Sequence, residues 1–148
     1  NAFLLNLGLE TLPVRMERYC KNAQIVAEFL AANEKVEWVN YPGLAGDPYH
    51  ALAEKYLPDG CSGVMSFSLK GDRDTAIRFM DSLKLASNVV HVADIRTCVL
   101  HPASSTHRQL TDAQLTACGI TPGLIRLSCG LEDIEDILED IQQALDAI

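Results

Sequence analysis

No apolar run in this chain approaches the ~20 residues that a bilayer-spanning helix requires, no two cysteines are spaced C-x-x-C, and no segment is low in complexity. The first absence excludes a helical membrane anchor within these residues. The third argues against disorder, because 48% hydrophobic composition supplies enough apolar surface to offset the entropy lost on folding. Basic residues are also scarce: 12 Lys and Arg stand against 20 Asp and Glu, a formal net charge of -8. That balance excludes a basic face for nucleic acid. Much of the acid lies in Glu132, Asp133, Glu135, Asp136, Glu139 and Asp140, which the spacing predicts to be the solvated face of a helix. The five cysteines, Cys20, Cys61, Cys98, Cys118 and Cys129, are odd in number and widely spaced, and no secretory signal opens the sequence. Reduced thiols in a cytoplasmic protein are the expectation. A length of 148 residues suits one domain.

What is present alternates between two periodicities. From Pro13 to about Asn33, Tyr19, Ala23, Val26 and Leu30 recur at helical spacing, with Thr11 as the expected cap. VEWVNYP reads as a strand, Asp47-Pro48 as the start of a helix through HALAEKYL, and SGVMSFSLKG as a core strand in which Met65, Phe67 and Leu69 alternate with serines. A helix is expected from Asp74 to Leu83, strands at NVVHV, TCVL and LIRLSC, a short helix capped by Thr111 or Asp112 and ended by Gly119, and a last helix along Ile134, Ile141 and Leu145. NVVHV and TCVL are separated only by ADIR, too short for a parallel crossover, so that pair is expected to be antiparallel. The fold class predicted is α+β, an open, mainly antiparallel sheet with helices on one face, preceded by a long linking helix. The opening NAFLLNLGLETLPVRM is expected to be the run-in from an upstream domain. That gives residues 1–12 as linker and 13–148 as the domain, with self-association through Phe3, Leu4, Leu5, Leu7 and Leu9.

Two places carry candidate chemistry. Arg126 sits between Ile125 and Leu127 in an apolar strand, where a guanidinium needs a planar anionic partner. From the residues alone that partner is equally a bound carboxylate or an ion-pairing Asp94. LHPASSTH, residues 100–107, with His91 upstream in VVHVADIRT, could be a metal site, a hydroxyl cluster or a turn. Cys98, His101 and His107 match no common zinc spacing, and no G-x-S-x-G elbow surrounds Ser104 or Ser105. A turn whose hydroxyls satisfy its own backbone stays open beside a ligand-facing loop.

GLETLPVRM, YPGL with DPYHALAEKYLPDG, SGVMSFSLKG, LHPASSTH and LIRLSCGLEDIEDILEDIQQAL, in that order, resemble the C-terminal domain of the Cys/Met-metabolism family of pyridoxal-phosphate enzymes. DPYHALAEKYLP and HPASSTHRQL are most similar to its O-acetylhomoserine sulfhydrylase branch. The resemblance implies the small domain of a fold-type-I transferase. Its partner would be an N-terminal domain of the same polypeptide that holds pyridoxal 5'-phosphate on a lysine, and its substrates O-acetyl-L-homoserine with sulfide or a thiol, in a homo-oligomer. None of Lys21, Lys35, Lys55, Lys70 and Lys84 lies in the family's Ser-x-Thr-Lys setting, so no cofactor is expected on this chain alone, and no catalytic residue. By the same resemblance Arg126 grips the substrate α-carboxylate, and Thr106 and Ser104 line a substrate-side loop. His91 stands where serine or asparagine is commoner and Ala93 where glycine is commoner, so their contact is expected through side chain or backbone, with a core or supporting histidine as the alternative. A cystathionine γ-synthase or lyase, and a stand-alone anion-binding module, are the other functions weighed.

Overall fold

The computed structural model describes residues 1–148. Strands β1 (Val36–Asn40), β2 (Val64–Leu69), β3 (Ser87–Asn88), β4 (Cys98–Leu100) and β5 (Leu124–Ser128) form one sheet in the order β1-β2-β5-β4-β3. Helices α1 (Ala2–Glu10), α2 (Leu12–Ala32), α3 (His50–Tyr56), α4 (Arg73–Ser82), α5 (Asp112–Ala117) and α6 (Ile134–Asp146) complete the chain. β2 and β5 are buried by alternation. Met65 and Phe67 pair across the ladder with Leu127 and Ile125 of β5, Leu69 pairs with Val36 of β1, and all three face a core built from Ala23, Val26 and Leu30 of α2, Phe79 of α4 and Ile137, Ile141 and Leu145 of α6. Phe67 and Phe79 meet edge to face at 6.0 Å, a contact worth about 0.5–1.5 kcal/mol beyond the area it buries. The helices therefore cover one face, and Ser66, Arg126 and Leu100, side by side in register, mark the other.

The sheet is mainly antiparallel, with one correction. NVVHV is not a strand, and its expected antiparallel pairing with TCVL does not occur: Ser87 and Asn88 pair instead with Cys98 and Val99, and in parallel. The argument from connection length assumed that the valines do the pairing. Only Val89 does, its N–H donating to the Val99 carbonyl (3.1 Å); Val90 and Val92 are 56% and 52% exposed and belong to an excursion, residues 89–97, that leaves the sheet and returns. A two-residue parallel pairing closed by such a loop needs no crossover helix.

Asp72 caps α4 by accepting the Thr75 N–H (2.9 Å), and the cap follows the sequence at α5, where Thr111 and Gln114 form a reciprocal capping box. Thr111, not Asp112, is the cap, and Gly119 adopts φ +75°. Thr11 sits at the α2 N-cap without a side-chain cap bond; its hydroxyl accepts from Arg15 Nε (3.2 Å), and Arg15 also reaches the Gly8 carbonyl. That pair of bonds holds α1, which has no buried residue, against the start of α2. The acidic run is not uniformly a solvated face. Asp140 is 6% exposed and accepts the N–H groups of Lys84 (2.7 Å), Leu85 (3.0 Å) and Ala86 (2.9 Å), while Glu132 accepts from Thr97 N (2.6 Å) and Oγ1 (3.0 Å).

Candidate functional site

The excursion 89–97 lies over the face of the sheet opposite α2, α4 and α6, and β5 supplies the groups that hold it. Arg126 donates through Nη2 to the carbonyls of Val90 (2.8 Å) and His91 (3.3 Å). Ser128, two residues on and on the same face, accepts the Ala93 N–H (3.1 Å), and the Tyr19 hydroxyl reaches the Ala93 carbonyl (3.3 Å). Ala93 has φ +57°, a left-handed conformation that costs a residue with a Cβ roughly 1–2 kcal/mol. The glycine preference at this position thus has a backbone cause. Both Ala93 polar groups are bound within the protein, so the residue shapes this turn.

The far end of the excursion is pinned at Gly130. A Cβ there would lie 2.4 Å from backbone atoms of Arg96 and Thr97, so only glycine lets the strands of chain cross. Thr97 Oγ1 accepts the Gly130 N–H (3.0 Å) and donates to Glu132, and Asn22 donates to the carbonyls of Gly130 (3.0 Å) and Glu132 (3.1 Å). Sequence reasoning missed Tyr19, Asn22, Thr97 and Glu132. Only Asn22 left a signal, a polar residue on the apolar stripe of α2.

Arg126 is the cation of this face. No carboxylate lies within ion-pairing distance of it, so the Asp94 alternative is corrected. Asp94 is engaged by Arg96 Nη2 (3.3 Å) and His91 Nδ1 (3.1 Å), and the Arg96 hydrogen bonds, followed by that from His91, hold its carboxyl far below the usual carboxylate range. Arg126 Nε is buried without a partner, and the side chain opens onto a shallow cleft of about 360 Å³ shared with Asn40, Ser62 and Ser66. Two carbonyls thus orient the guanidinium without neutralising it. The arrangement can bind one small planar anion.

His91, expected in one alternative to be a core residue, has a side chain 55% exposed and turned to Asp94. The buried histidine is His101. It donates from Nε2 to the Pro122 carbonyl (2.7 Å), and its Nδ1 lies 2.8 Å from Ser104 Oγ. Ser105 Oγ donates to the His101 carbonyl (2.6 Å), so two hydroxyls of the LHPASSTH stretch serve its own turn. Thr106 is exposed, its hydroxyl 2.9 Å from His107 Nδ1, and it shares no hydrogen bond with Arg126 or Ala93. Cys98 donates to the Arg96 carbonyl, and no three His, Cys, Asp or Glu side chains converge as metal ligands. Of the four predicted residues, the structure brings Arg126, His91 and Ala93 together and leaves Thr106 apart. Among the lysines, Lys35 binds the carbonyls of Leu145 (2.8 Å) and Ile148 (3.0 Å), Lys55 lies 5.0 Å over the Tyr56 ring, and none lines the Arg126 cleft.

Burial holds His101 below the ordinary histidine value, which is about 6.5. The unfolded chain then takes up the proton first. The stabilising contribution is complete above about 6.5 and is lost as pH falls from there toward the lower folded value. Urea denaturation at pH 7.5 and 5.5 should show stability declining with pH, and His101→Gln should flatten that decline. An unchanged slope in the variant would assign it to carboxylates instead.

Comparison with known proteins adds relationships. The family model described as "Cys/Met metabolism PLP-dependent enzyme" matches residues 1–146. The O-acetyl-L-homoserine sulfhydrylase of Leptospira meyeri is 48% identical over 98% of this chain and 33% of its own length. The L-methionine gamma-lyase of Pseudomonas putida is 46% identical over 99% of this chain and 37% of its own. A crystal structure of a putative O-acetylhomoserine (thiol)-lyase from Campylobacter jejuni, containing N'-pyridoxyl-lysine-5'-monophosphate, superimposes with a TM-score of 0.91 at 43% identity, covering 99% of this chain and 35% of that one. The chain thus spans about a third of the length of the relatives it matches.

Proposed function

The chain belongs to the Cys/Met metabolism PLP-dependent enzyme family, and on that premise we propose that it is the C-terminal, substrate-side domain of an O-acetyl-L-homoserine sulfhydrylase. In this reading residues 1–12 link it to an upstream domain that carries the cofactor lysine, and the exposed apolar row of α1 packs against that domain or a second copy. The reaction is γ-replacement: sulfide or a thiol takes the place of acetate on O-acetyl-L-homoserine. The observation that carries the proposal is the uncompensated, pre-oriented guanidinium of Arg126.

The residues here do not fit the cofactor itself. In this reading the Schiff-base lysine lies elsewhere in the polypeptide, since none of the five lysines here stands in the family's Ser-x-Thr-Lys setting. Pyridoxal phosphate, once bound there, supplies the electron sink for carbanion chemistry. This chain's part is positioning. Arg126 takes the α-carboxylate, Ala93 and the His91 backbone shape the wall around it, and Thr106 belongs to the rim of the entry loop. A fixed carboxylate holds Cα–H in one orientation, a contribution that can amount to several kcal/mol.

The test uses the full-length polypeptide with O-acetyl-L-homoserine and sulfide, following acetate release and homocysteine formation. Residues 1–148 alone should show neither turnover nor the visible absorbance of a lysine-bound cofactor; either would overturn the assignment of the lysine to another domain. The 46% identity to a methionine gamma-lyase favours a second reading, γ-elimination. Methanethiol release from L-methionine exceeding sulfide-dependent acetate release would establish it. Preferential use of cysteine as the second substrate would instead indicate a cystathionine-forming enzyme.

A further inference from the structure

A cleft of about 670 Å³, separate from Arg126, lies between α2, α3 and the segment joining α3 to β2. Two of the five cysteines line it, Cys20 from α2 and Cys61 from that segment, and both are half-buried free thiols. Gly60 brings the two elements together. A Cβ at this residue, which has φ +135°, would stand 2.7 Å from Cys20 Cβ and 3.0 Å from its Sγ. The sulfur of Cys20 therefore lies against Gly60, the residue that precedes Cys61. Tyr41 fixes the segment there, its hydroxyl donating to the Ser62 carbonyl (2.9 Å).

We propose that Cys20 and Cys61 form an oxidation site, a dithiol that a hydroperoxide converts to an intramolecular disulfide clipping α2 to the segment that feeds β2. One thiolate attacks a peroxide oxygen, the O–O bond breaks, and a sulfenic acid and water or an alcohol result. The second thiolate attacks that sulfur, the S–O bond breaks, and water leaves. Two thiols lose two electrons and two protons, and one peroxide is reduced. A disulfide needs Cα atoms roughly 4.4–6.8 Å apart, and the close approach of Gly60 to Cys20 brings the adjoining Cys61 toward that range. Burial, and then the neighbouring Cys61, raise the Cys20 thiol above its ordinary range, which lowers its thiolate fraction and slows its reaction with peroxide. The other cysteines lack this combination. Cys129 is fully buried and pushed up to about 12 by burial, Cys98 is buried on the opposite face of the sheet, and Cys118 is exposed at the end of α5. The inference is independent of the proposed reaction.

Trypsin places each cysteine of this chain on its own peptide: Cys20 on 19–21, Cys61 on 56–70, Cys98 on 97–108, Cys118 on 109–126 and Cys129 on 127–148. The full-length protein is treated with equimolar hydrogen peroxide, blocked with an alkylating reagent, digested without reductant and mapped by mass spectrometry. Peptide 19–21 joined to 56–70 in the monomer fraction, released by dithiothreitol and retained in Cys118→Ser, is the expected result. Cys20→Ser and Cys61→Ser should each abolish it. Absence of that linked pair from the wild-type map, or linkage of Cys61 to 127–148 instead, overturns the proposal whatever the variants do.

Discussion

Arg126→Ala in the full-length protein is expected to lower kcat/KM for O-acetyl-L-homoserine about 10³-fold, a loss of ~4 kcal/mol, with kcat and KM both affected. The magnitude follows from the hold on the substrate carboxylate proposed for the guanidinium. Removing a charge-assisted carboxylate contact costs several kcal/mol, and a substrate free to pivot about its amino group also loses alignment of Cα–H. Arg126→Lys keeps the charge but not a planar donor set able to hold the Val90 and His91 carbonyls together with a ligand, so it should recover only one of those decades. Stability should barely change, within about 1 kcal/mol, because both carbonyls lie in an exposed excursion where water replaces the lost donor. Steady-state kinetics with O-acetyl-L-homoserine, paired with thermal melts, separates the two effects. A loss of activity under tenfold with an intact melt would remove Arg126 from the site.

Most of the frame of this site was legible in the amino-acid order. β2 and β5 follow from strict alternation around Phe67 and Leu127, and α2 and α6 from stripes ending in Leu30 and Leu145, because burial on one face imposes those periods. Arg126 stood out because a charge on a central strand must face away from the core. What the order did not carry was context. Val90 and Val92 have strand propensity yet are exposed, since the place beside β4 is taken by the more polar Ser87 and Asn88. The two histidines part for a related reason: His91 and His101 have similar neighbours in sequence, and only the approach of the Pro122 carbonyl buries one of them. Thr106 illustrates the same gap, because a hydroxyl in a turn is equally placed to serve its neighbours.

The acidic run holds the second large effect. Asp140→Ala should destabilise the fold by about 3–5 kcal/mol, since three N–H groups that share one carboxylate lose their acceptor together and charged hydrogen bonds contribute roughly 1.5–3 kcal/mol each, not additively. Against a typical total of about 5–15 kcal/mol, that is a large fraction, and the melting temperature should fall by about 10 °C. Asp140→Asn retains one acceptor oxygen and should cost about half as much. Glu139→Ala, one residue earlier and exposed, should stay within about 0.5 kcal/mol, which makes the contrast a test of position and not of charge. Urea denaturation reads the differences, and hydrogen exchange at Lys84, Leu85 and Ala86 locates them; equal costs at 139 and 140 would return the whole run to a solvated face. The consequence reaches the candidate site through the chain itself. Asp140 fixes residues 84–86, which lead into β3, and β3 launches the excursion whose carbonyls orient Arg126. A buried acid on the helical side of the sheet thereby sets where the guanidinium on the open side points.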